Sequence, residues 1–224
     1  MTHELSRLRA DPAVVEAWIT GWTLSRETAP PVPVAGGFGV EVGLPEHRRR
    51  YVLPAASKAL SRLAESIDEA WVFLKVCATT EAAQALCPAR WTAQPLGFMM
   101  EVDGSAKGAG GAFADGYALG VRRVGSVLVA EVTGPDDSLA AKGRAALTDG
   151  FAVYDQIVTD VNHQRRGLGR QVMAALTAAA VDHGVRRGVL VATPEGRALY
   201  QTLGWRMHTP MSTFVIPAEP SPAP

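Results

Sequence analysis

The sequence lacks long apolar runs, an excess of either charge, and more than two cysteines. Cys77 and Cys87 both fall inside predicted secondary structure, which favours reduced thiols over a disulfide scaffold. No stretch approaches the roughly 20 apolar residues of a membrane-spanning helix, and residues 1–9 are polar, unlike a signal peptide. We therefore expect a cytoplasmic protein that makes no contact with a membrane.

Charge and the placement of histidine exclude two further classes of protein. Lysine plus arginine and aspartate plus glutamate number 22 each, whereas nucleic-acid-binding domains usually carry a basic excess. The five histidines are scattered along the chain, and no two of them have the spacing of zinc ligands. We expect neither a nucleic-acid partner nor a metal site.

What the sequence does contain is a glycine-rich turn between a predicted strand and a predicted helix. The turn is Gln164-Arg165-Arg166-Gly167-Leu168-Gly169. Residues 151–159 are rich in β-branched and aromatic side chains, which predicts a strand. After the turn, apolar residues recur every four positions up to Gly184, which predicts a helix. The first-turn amides of such a helix lack intrahelical partners and attract anions, so we expect a ligand that carries phosphate.

Spacing distinguishes between the known kinds of phosphate-binding turn. This turn has neither the Gly-x-x-x-x-Gly-Lys-Ser/Thr of a P-loop nor the Gly-x-Gly-x-x-Gly of a dinucleotide site. Gln-x-x-Gly-x-Gly between a strand and a helix resembles the pyrophosphate loop of the GNAT acyltransferase superfamily, which binds acyl-CoA. Residues 198–205, Ala-Leu-Tyr-Gln-Thr-Leu-Gly-Trp, resemble a second block of that family. The resemblance covers roughly residues 117–216.

This resemblance implies a fold, a reaction and a cofactor site. The fold is α/β (α+β), with a mixed, mostly antiparallel sheet and flanking helices. The reaction is acyl transfer to an amine, with acetyl-CoA as co-substrate lying where strands 151–159 and 188–192 splay apart. Thr193 stands where the family often has asparagine. The implied cofactor-binding residues are Ile157, Val158, Thr159, Gln164, Arg165, Arg166, Gly167, Leu168, Gly169, Arg170 and Thr193.

Tyr200 is the general acid that the resemblance implies. It lies in the second block, and a tyrosine hydroxyl, with a reference pKa of about 10, can return a proton to the leaving thiolate. Leu199 and Leu203 already supply an apolar stripe for the same helix. The alternative is that the Tyr200 ring only packs against the core.

Asp155 is the candidate base. By strand alternation it shares a face with Phe151, Val153 and Ile157, and an unpaired carboxylate among apolar side chains readily accepts a proton. The Asp-Gln at this place also looks like that of some aminoglycoside acetyltransferases. The alternative is a structural carboxylate that caps a strand or pairs with an arginine such as Arg144.

The first half of the chain is predicted to repeat the second in degenerate form. Residues 78–91 have the same length as residues 192–205, and each segment follows a helix and an apolar strand. Chance similarity between alanine-rich segments is the alternative. The predicted tandem arrangement has a degenerate GNAT-like half at 1–102, a glycine-rich linker at 103–116, a catalytic GNAT domain at 117–216 and a disordered tail at 217–224.

Local patterns predict the elements within each half. The predicted helices are 12–24, 55–67, 81–86, a helix from 168 to about 183, and 193–203. The predicted strands are 38–42, 50–53, 71–76, 98–102, 117–122, 126–133, 139–147, 151–159, 188–192 and 205–215. Residues 30–37 are predicted to be irregular. The triple arginine at 48–50 is interpreted as part of a solvated turn, with a phosphate patch as the alternative.

Three functions are compatible with these patterns. The first is an N-acetyltransferase in which the amine of a small molecule attacks acetyl-CoA directly, the acceptor lying against Trp18, Trp22 or Arg26. The second is a non-catalytic acyl-CoA-binding or sensor module, against which Tyr200 and Asp155 argue. The third is protein acetylation, which would favour an acidic groove that the sequence does not indicate. The identity of the acceptor and the choice between monomer and homodimer stay open.

Overall fold

A computed structural model describes residues 10–103 and 115–218 of the chain. Most of the predicted linker at 103–116 and of the predicted tail at 217–224 lies outside the described residues. Within them the α-helices are α1 (Pro12–Arg26), α2 (Lys58–Ser66), α3 (Thr80–Gln84), α4 (Leu168–Asp182) and α5 (Pro194–Thr202). The first-half strands are β1 (Val32–Val34), β2 (Gly37–Leu44), β3 (His47–Leu53), β4 (Val72–Val76) and β5 (Thr92–Asp103). The second-half strands are β6 (Ala118–Val124), β7 (Val127–Thr133), β8 (Leu139–Thr148), β9 (Phe151–Thr159), β10 (Arg187–Ala192) and β11 (Arg206–Val215).

Helix starts follow the capping residues in the sequence. The Asp11 side chain accepts a hydrogen bond from the Ala13 amide at 2.9 Å, and Pro12 occupies the first turn of α1, where its missing N–H costs nothing. Thr79 and Thr193 cap α3 and α5 in the same way, each accepting from the amide three residues further on. The predicted helices are confirmed, with ends that differ by a few residues.

One prediction in the first half is wrong, and a second strand is longer than predicted. Residues 30–37 were expected to be irregular, but β1 pairs antiparallel with β2 from Val32↔Gly39 to Val34↔Gly37. Proline is tolerated there because β1 is an edge strand. The strand expected at 98–102 is longer, since β5 begins at Thr92 and pairs on both sides, with β10 and β11.

All the described strands form one sheet with the order β1-β2-β3-β4-β11-β5-β10-β9-β8-β7-β6. Neighbouring strands pair antiparallel except β3 with β4 and β9 with β10, which are parallel and joined by α2 and α4. This confirms the predicted mixed, mostly antiparallel sheet with flanking helices.

The last strand of each half lies beside the other half. β5 follows β4 and α3 in the chain, yet it pairs with β10, and β11 follows β10 and α5, yet it pairs with β4. The two exchanged strands pair with each other at the centre of the sheet. The halves therefore share one sheet, and their division into a degenerate and a catalytic unit stays a prediction.

Helices cover both faces of the sheet. α4 contributes Leu168, Val172 and Leu176 to a core that also holds Tyr154 and Trp205. α1 packs on the opposite face and is buried against strands of both halves, from Val52 to Val153. At Gly21 an added Cβ would lie 2.3 Å from Val153 Cβ, so only glycine allows this close approach. None of the helices in the described ranges is long and apolar enough to cross a membrane.

Candidate active site

The parallel strands β9 and β10 separate halfway along their length. Their register runs from Phe151↔Arg187 to Tyr154↔Leu190 and ends there, although both strands continue. On the other side β9 stays paired with β8 as far as Thr159↔Ala141. The sheet therefore opens into a gap that begins after Tyr154, at the place expected for the thioester.

A β-bulge in β9 accompanies this separation. Between the pairs Arg144↔Asp155 and Lys142↔Val158, β9 advances three residues while β8 advances two. Gln156 takes up the extra residue with φ 55°, and a bulge of this kind bends the strand and re-aims its side chains. The strand thereby leaves the line of β10.

The bulge also corrects the expected alternation of side chains. Gln156 Nε2 donates to the Ser25 carbonyl of α1 at 3.2 Å, so it lies on the same face as Asp155. Ile157 instead faces α4, where its Cδ1 and Val172 Cγ1 both come within 2.6 Å of a Cβ built on Gly143. The prediction that Asp155 and Ile157 share a face is wrong, because the inserted residue shifts the pleat by one.

The amide of Thr159 is positioned to serve a ligand in the gap. The next amide along, that of Asp160, donates to the Ala140 carbonyl of β8 at 2.9 Å. Successive amides of an antiparallel strand point in opposite directions, so the Thr159 N–H is directed away from β8. Thr159 lines the gap, as expected, whereas the Val158 side chain is 53% exposed outside it.

A cavity of about 430 Å³ joins this gap to the first half of the chain. On the β9–β10 side it is lined by Tyr154, Asp155, Gln156, Ile157, Thr159, Gly169, Leu190, Val191, Ala192, Thr193, Gly196, Leu199 and Tyr200. On the other side it is lined by Trp18, Trp22 and Arg26 of α1, Arg50 of β3 and Lys75 of β4. The structure thus brings both predicted catalytic residues together with the three α1 residues proposed to face the acceptor.

Asp155 is paired, contrary to the expectation of an isolated carboxylate. Arg26 Nε lies 2.7 Å from one carboxylate oxygen and Arg26 Nη2 lies 3.0 Å from the other. Ser25 Oγ donates to the same carboxylate at 3.3 Å. Arg144, the partner considered from the sequence, bonds the Ser25 carbonyl and Glu27 instead. Asp155 is consequently held by three hydrogen bonds on the wall of the cavity.

Tyr200 is held at the cavity by α5 and is largely removed from solvent. Its ring lies 6.1 Å from the ring of Trp205, at an angle of 57°. Burial, and secondarily the charge of Asp155, raise the pKa of Tyr200 to about 12. The hydroxyl therefore keeps its proton throughout the neutral range. Tyr154 also lines the cavity, but its hydroxyl is bonded to Thr177 Oγ1 at 2.9 Å.

The predicted cofactor turn lies at the N-terminus of α4. Gly167 is the N-cap with φ 77°, and no side chain caps the helix there. An added Cβ on Gly169 would meet only Thr159 Oγ1, at 3.6 Å. Gln164, Arg165, Arg166, Gly167 and Arg170 are exposed, whereas Leu168 is buried in the core. The side chain of Thr193 accepts from the Gly196 amide at 3.1 Å, so capping α5 already occupies it.

Acetyl-CoA fits the residues of this turn. The uncapped N-terminus of α4 offers free amides, and the adjacent arginines offer positive charge to a pyrophosphate. These groups lie at the end of the gap opposite the first half, while Gly169 and Thr159 connect them to the cavity.

Arg50 and Lys75 are charged residues of the cavity that the sequence analysis did not place at the site. Arg48 and Arg49 form surface ion pairs with Glu69 and Glu41, as a solvated turn would, but Arg50 is only 8% exposed. Strand alternation could have predicted this burial, because Arg50 lies two residues before the buried Val52 and therefore on the same face of β3. Lys75 likewise interrupts the apolar strand β4.

The second half matches a known family. Residues 123–207 match the model of the acetyltransferase (GNAT) domain, a stretch that includes the turn, the gap and Tyr200. No curated protein is significantly similar to the chain.

Solved structures resemble the chain over most of its length. A GCN5-related N-acetyltransferase from Kribbella flavida aligns with a TM-score of 0.67 at 13% identity, over 93% of this chain and 96% of that one. A GCN5-related N-acetyltransferase from Sphaerobacter thermophilus aligns with a TM-score of 0.59 at 11% identity, over 95% and 96%. A tandem GNAT protein from the clavulanic acid biosynthesis pathway aligns with a TM-score of 0.55 at 14% identity, over 77% and 76%. At these identities the likeness shows a shared fold.

Proposed function

We propose that the protein is an N-acetyltransferase acting on the amine of a small molecule, because residues 123–207 match the model of the acetyltransferase (GNAT) domain. The transfer forms a C–N bond and breaks a C–S bond. The acceptor arrives as an ammonium and loses two protons, of which one ends on the sulfur of CoA and the other is released to solvent. Acetyl-CoA supplies the thioester that the amine attacks directly.

One observation carries this proposal: Tyr200 and Asp155 line the same cavity, which opens at the separation of β9 and β10. A module that only bound acyl-CoA would need the gap and the turn at α4. It would not need a protonated hydroxyl and a carboxylate beside the gap, next to a space of about 430 Å³ for a second molecule.

Tyr200 is assigned to the leaving group. A thiol has a reference pKa of about 8.5, well below the value of about 12 for Tyr200. Complete proton transfer from Tyr200 to a thiolate is therefore unfavourable. The pKa difference between the two groups is larger than it would be for a tyrosine with the reference pKa of about 10. The hydroxyl acts instead by donating a strong hydrogen bond to the sulfur as its negative charge develops.

Asp155 is assigned to the amine. A free alkylamine has a pKa of roughly 10 and arrives protonated at pH 7. Arg26 and Ser25 together donate three hydrogen bonds to the carboxylate of Asp155, and a carboxylate has about four lone-pair sites, so one site remains. The carboxylate is thus able to attract the ammonium group and to accept its proton, directly or through water.

The first half is assigned to the acceptor. We propose that residues 1–102 are a degenerate repeat whose residues form the far wall of the cavity, and that residues 117–216 perform the transfer. The exchange of β5 and β11 and the matching threonine caps of α3 and α5 support this division.

The test is a panel of primary amines assayed for CoA release with acetyl-CoA. Wild type is expected to acetylate at least one small amine, and Tyr200→Phe, which keeps the ring, is expected to lower kcat roughly 10²-fold with unchanged acetyl-CoA affinity. The ratio of wild-type to Tyr200→Phe kcat should be constant from pH 6 to 9, because a hydroxyl with a pKa of about 12 stays protonated across that range. Tight acetyl-CoA binding without transfer to any amine would favour the sensor module.

A further inference from the structure

Three basic side chains line the part of the cavity that α1, β3 and β4 form. They are Arg26, Arg50 and Lys75, and Asp155 is the one carboxylate among the described residues that line the cavity. Arg26 is already paired with Asp155. Arg50 and Lys75 therefore leave the cavity wall with a surplus of positive charge.

Arg50 forms no ion pair within the described residues, and one of its buried donors lacks an acceptor. The residue is 8% exposed, and its guanidinium carbon lies 4.0 Å from the centre of the Trp22 ring. Its Nε is buried and has no hydrogen-bond partner within residues 10–103 and 115–218. Burial, and then the charge of Arg26, lower the pKa of Arg50 to about 9, so the group is still charged at pH 7. A buried charged donor that lacks an acceptor is costly.

Lys75 adds a second donor on the same face. The register pairs Val52 with Lys75 and Arg50 with Phe73, so Arg50 and Lys75 are diagonal neighbours on adjacent strands. Burial, and then the charges of Arg50 and Arg26, lower the pKa of Lys75 to about 7, so about half of this amine is protonated at pH 7. Within the described residues it has one hydrogen bond, to Thr213 Oγ1 at 2.9 Å, and its protonated form has three donors. Two donors remain for a ligand.

We propose that the acceptor is a small amine that also carries an acidic group, a carboxylate or a phosphate, which Arg50 and Lys75 bind. The proposal rests on the function proposed above and names its substrate class. The fork of a guanidinium matches either anion. Asp155 would then meet the ammonium end of the same molecule, because it lies on β9 at the edge of the β9–β10 gap and lines the same cavity as the two basic residues.

Charge balance excludes a simple cationic amine as the preferred acceptor. Such an amine would be attracted by Asp155 but repelled by Arg50 and Lys75, whose charges it cannot neutralise. The phosphates of acetyl-CoA are not needed to explain the basic residues, since the α4 turn and its exposed arginines form a separate phosphate site that does not include Arg50 or Lys75.

The experiment compares matched amines in the acetyl-CoA assay. Glycine and β-alanine represent carboxylates, and aminomethylphosphonate and phosphoethanolamine represent phosphorus acids. Glycinamide and ethanolamine are the counterparts whose only charged group is the amine, and we call them uncharged. One acidic series is expected to exceed its uncharged counterparts in kcat/KM by about 10- to 100-fold, and the series that does so identifies the anion.

Arg50→Met is the diagnostic variant and Arg49→Met its control. Arg49 is adjacent in β3 but forms surface pairs with Glu41 and Glu69 outside the cavity. Arg50→Met should remove most of the preference for acidic amines while leaving acetyl-CoA affinity unchanged, and Arg49→Met should remove none. Arg50→Met should remain folded, because replacing a buried unpaired charge by an apolar side chain is seldom destabilising. Lys75→Met provides an independent second variant.

Calorimetry with the unacetylated acids, without acetyl-CoA, separates this inference from the proposed transfer. One outcome is that the acidic amines bind to wild type but not to Arg50→Met while no amine is turned over. That result would support the anion site and contradict the proposed transferase activity. Equal turnover of acidic and uncharged amines, unaffected by Arg50→Met, would reject the anion site and retain the transferase. Absence of both binding and turnover would overturn both.

Discussion

The two parallel strand pairs of the sheet end differently, and the difference explains why only β9 and β10 open into a gap. β9 and β10 separate after Tyr154↔Leu190. β3 and β4 stay paired to Leu53↔Val76, and the Cys77 amide then closes the pair by donating to the Leu53 carbonyl at 2.9 Å. We call β9–β10 the open pair and β3–β4 the closed pair. The open pair has a bulge in β9 and a glycine turn before its helix, and the closed pair has neither.

The comparison shows what the closed pair contributes instead. With no ligand gap of its own, the first half uses the faces of β3 and β4 to present Arg50 and Lys75 toward the opening in the second half. α1 holds this arrangement together, because it packs on strands of both halves. One pair is thus assigned to acetyl-CoA and the other to the acceptor.

Blocking the open pair at its turn has the largest expected effect. Gly169→Glu places a carboxylate where the pyrophosphate is proposed to lie, and acetyl-CoA affinity is expected to fall roughly 100-fold or more by calorimetry. The fold should survive, because the space beside Gly169 is open and an acidic residue in the first turn stabilises a helix. Gly120→Glu, at another open glycine position, is the control. Unchanged affinity in Gly169→Glu would remove the turn from the cofactor site.

A larger side chain in β8, opposite the bulge in β9, is expected to have the next largest effect, a loss of stability. In Gly143→Val the new side chain would collide with Ile157 and Val172, whose atoms lie 2.5 and 2.6 Å from an added Cβ. We expect the free energy of unfolding to drop by about 1–3 kcal/mol in denaturant titration. Gly120→Val, where no atom lies within 4 Å of an added Cβ, should cost nothing. Equal stability of the two variants would show that β8 and β9 adjust freely at the bulge.

Lys75 in the closed pair is expected to produce a smaller, pH-dependent effect. Burial, and then the charges of Arg50 and Arg26, lower its pKa to about 7, whereas an unfolded lysine titrates near 10.4. Between these values the unfolded chain binds more protons, so this lysine makes stability rise with pH. We expect a gain of roughly 1–2 kcal/mol from pH 7 to 8.5.

Lys75→Met should abolish that rise in urea titrations at matched pH. His47, whose pKa is lowered to about 4 by burial, does not titrate in this window. Burial raises the pKa values of Cys77 and Cys87 to about 12 and 11, whereas an unfolded cysteine titrates near 8.5. Each thiol therefore reduces stability by at most about 0.4 kcal/mol at pH 8.5, equally in wild type and in Lys75→Met. If the free energy of unfolding rises with pH as much in Lys75→Met as in wild type, another group causes the rise.

Local patterns predicted the open pair well. The strand, the turn, α4 and the cap of α5 at Thr193 each follow from residues close together in sequence. The placement of Tyr200 beside the gap follows from the family resemblance of residues 198–205. Strand alternation failed at Asp155 because one inserted residue, Gln156 with a positive φ, reverses the pleat. Asp, Asn and Gly are the usual signals for such a conformation, and glutamine is not among them.

The closed pair and the exchanged strands were beyond local patterns. Nothing within β5 indicates that it pairs with β10, because that choice depends on contacts with residues 187–192. Arg50 was interpreted as solvated because it follows two arginines, and its burial depends on Trp22 from a helix far away in sequence. The pairing of Asp155 with Arg26 likewise needs the tertiary position of α1.

Amide hydrogen exchange with and without acetyl-CoA tests the contrast between the two strand pairs most directly. The account predicts slower deuterium uptake at residues 157–159 and in the first turn of α4, where free amides face the proposed ligand. Uptake at residues 53–57, which follow the closed pair, should not change. Protection at 53–57 without protection at 157–159 would contradict the assignment of acetyl-CoA to the open pair.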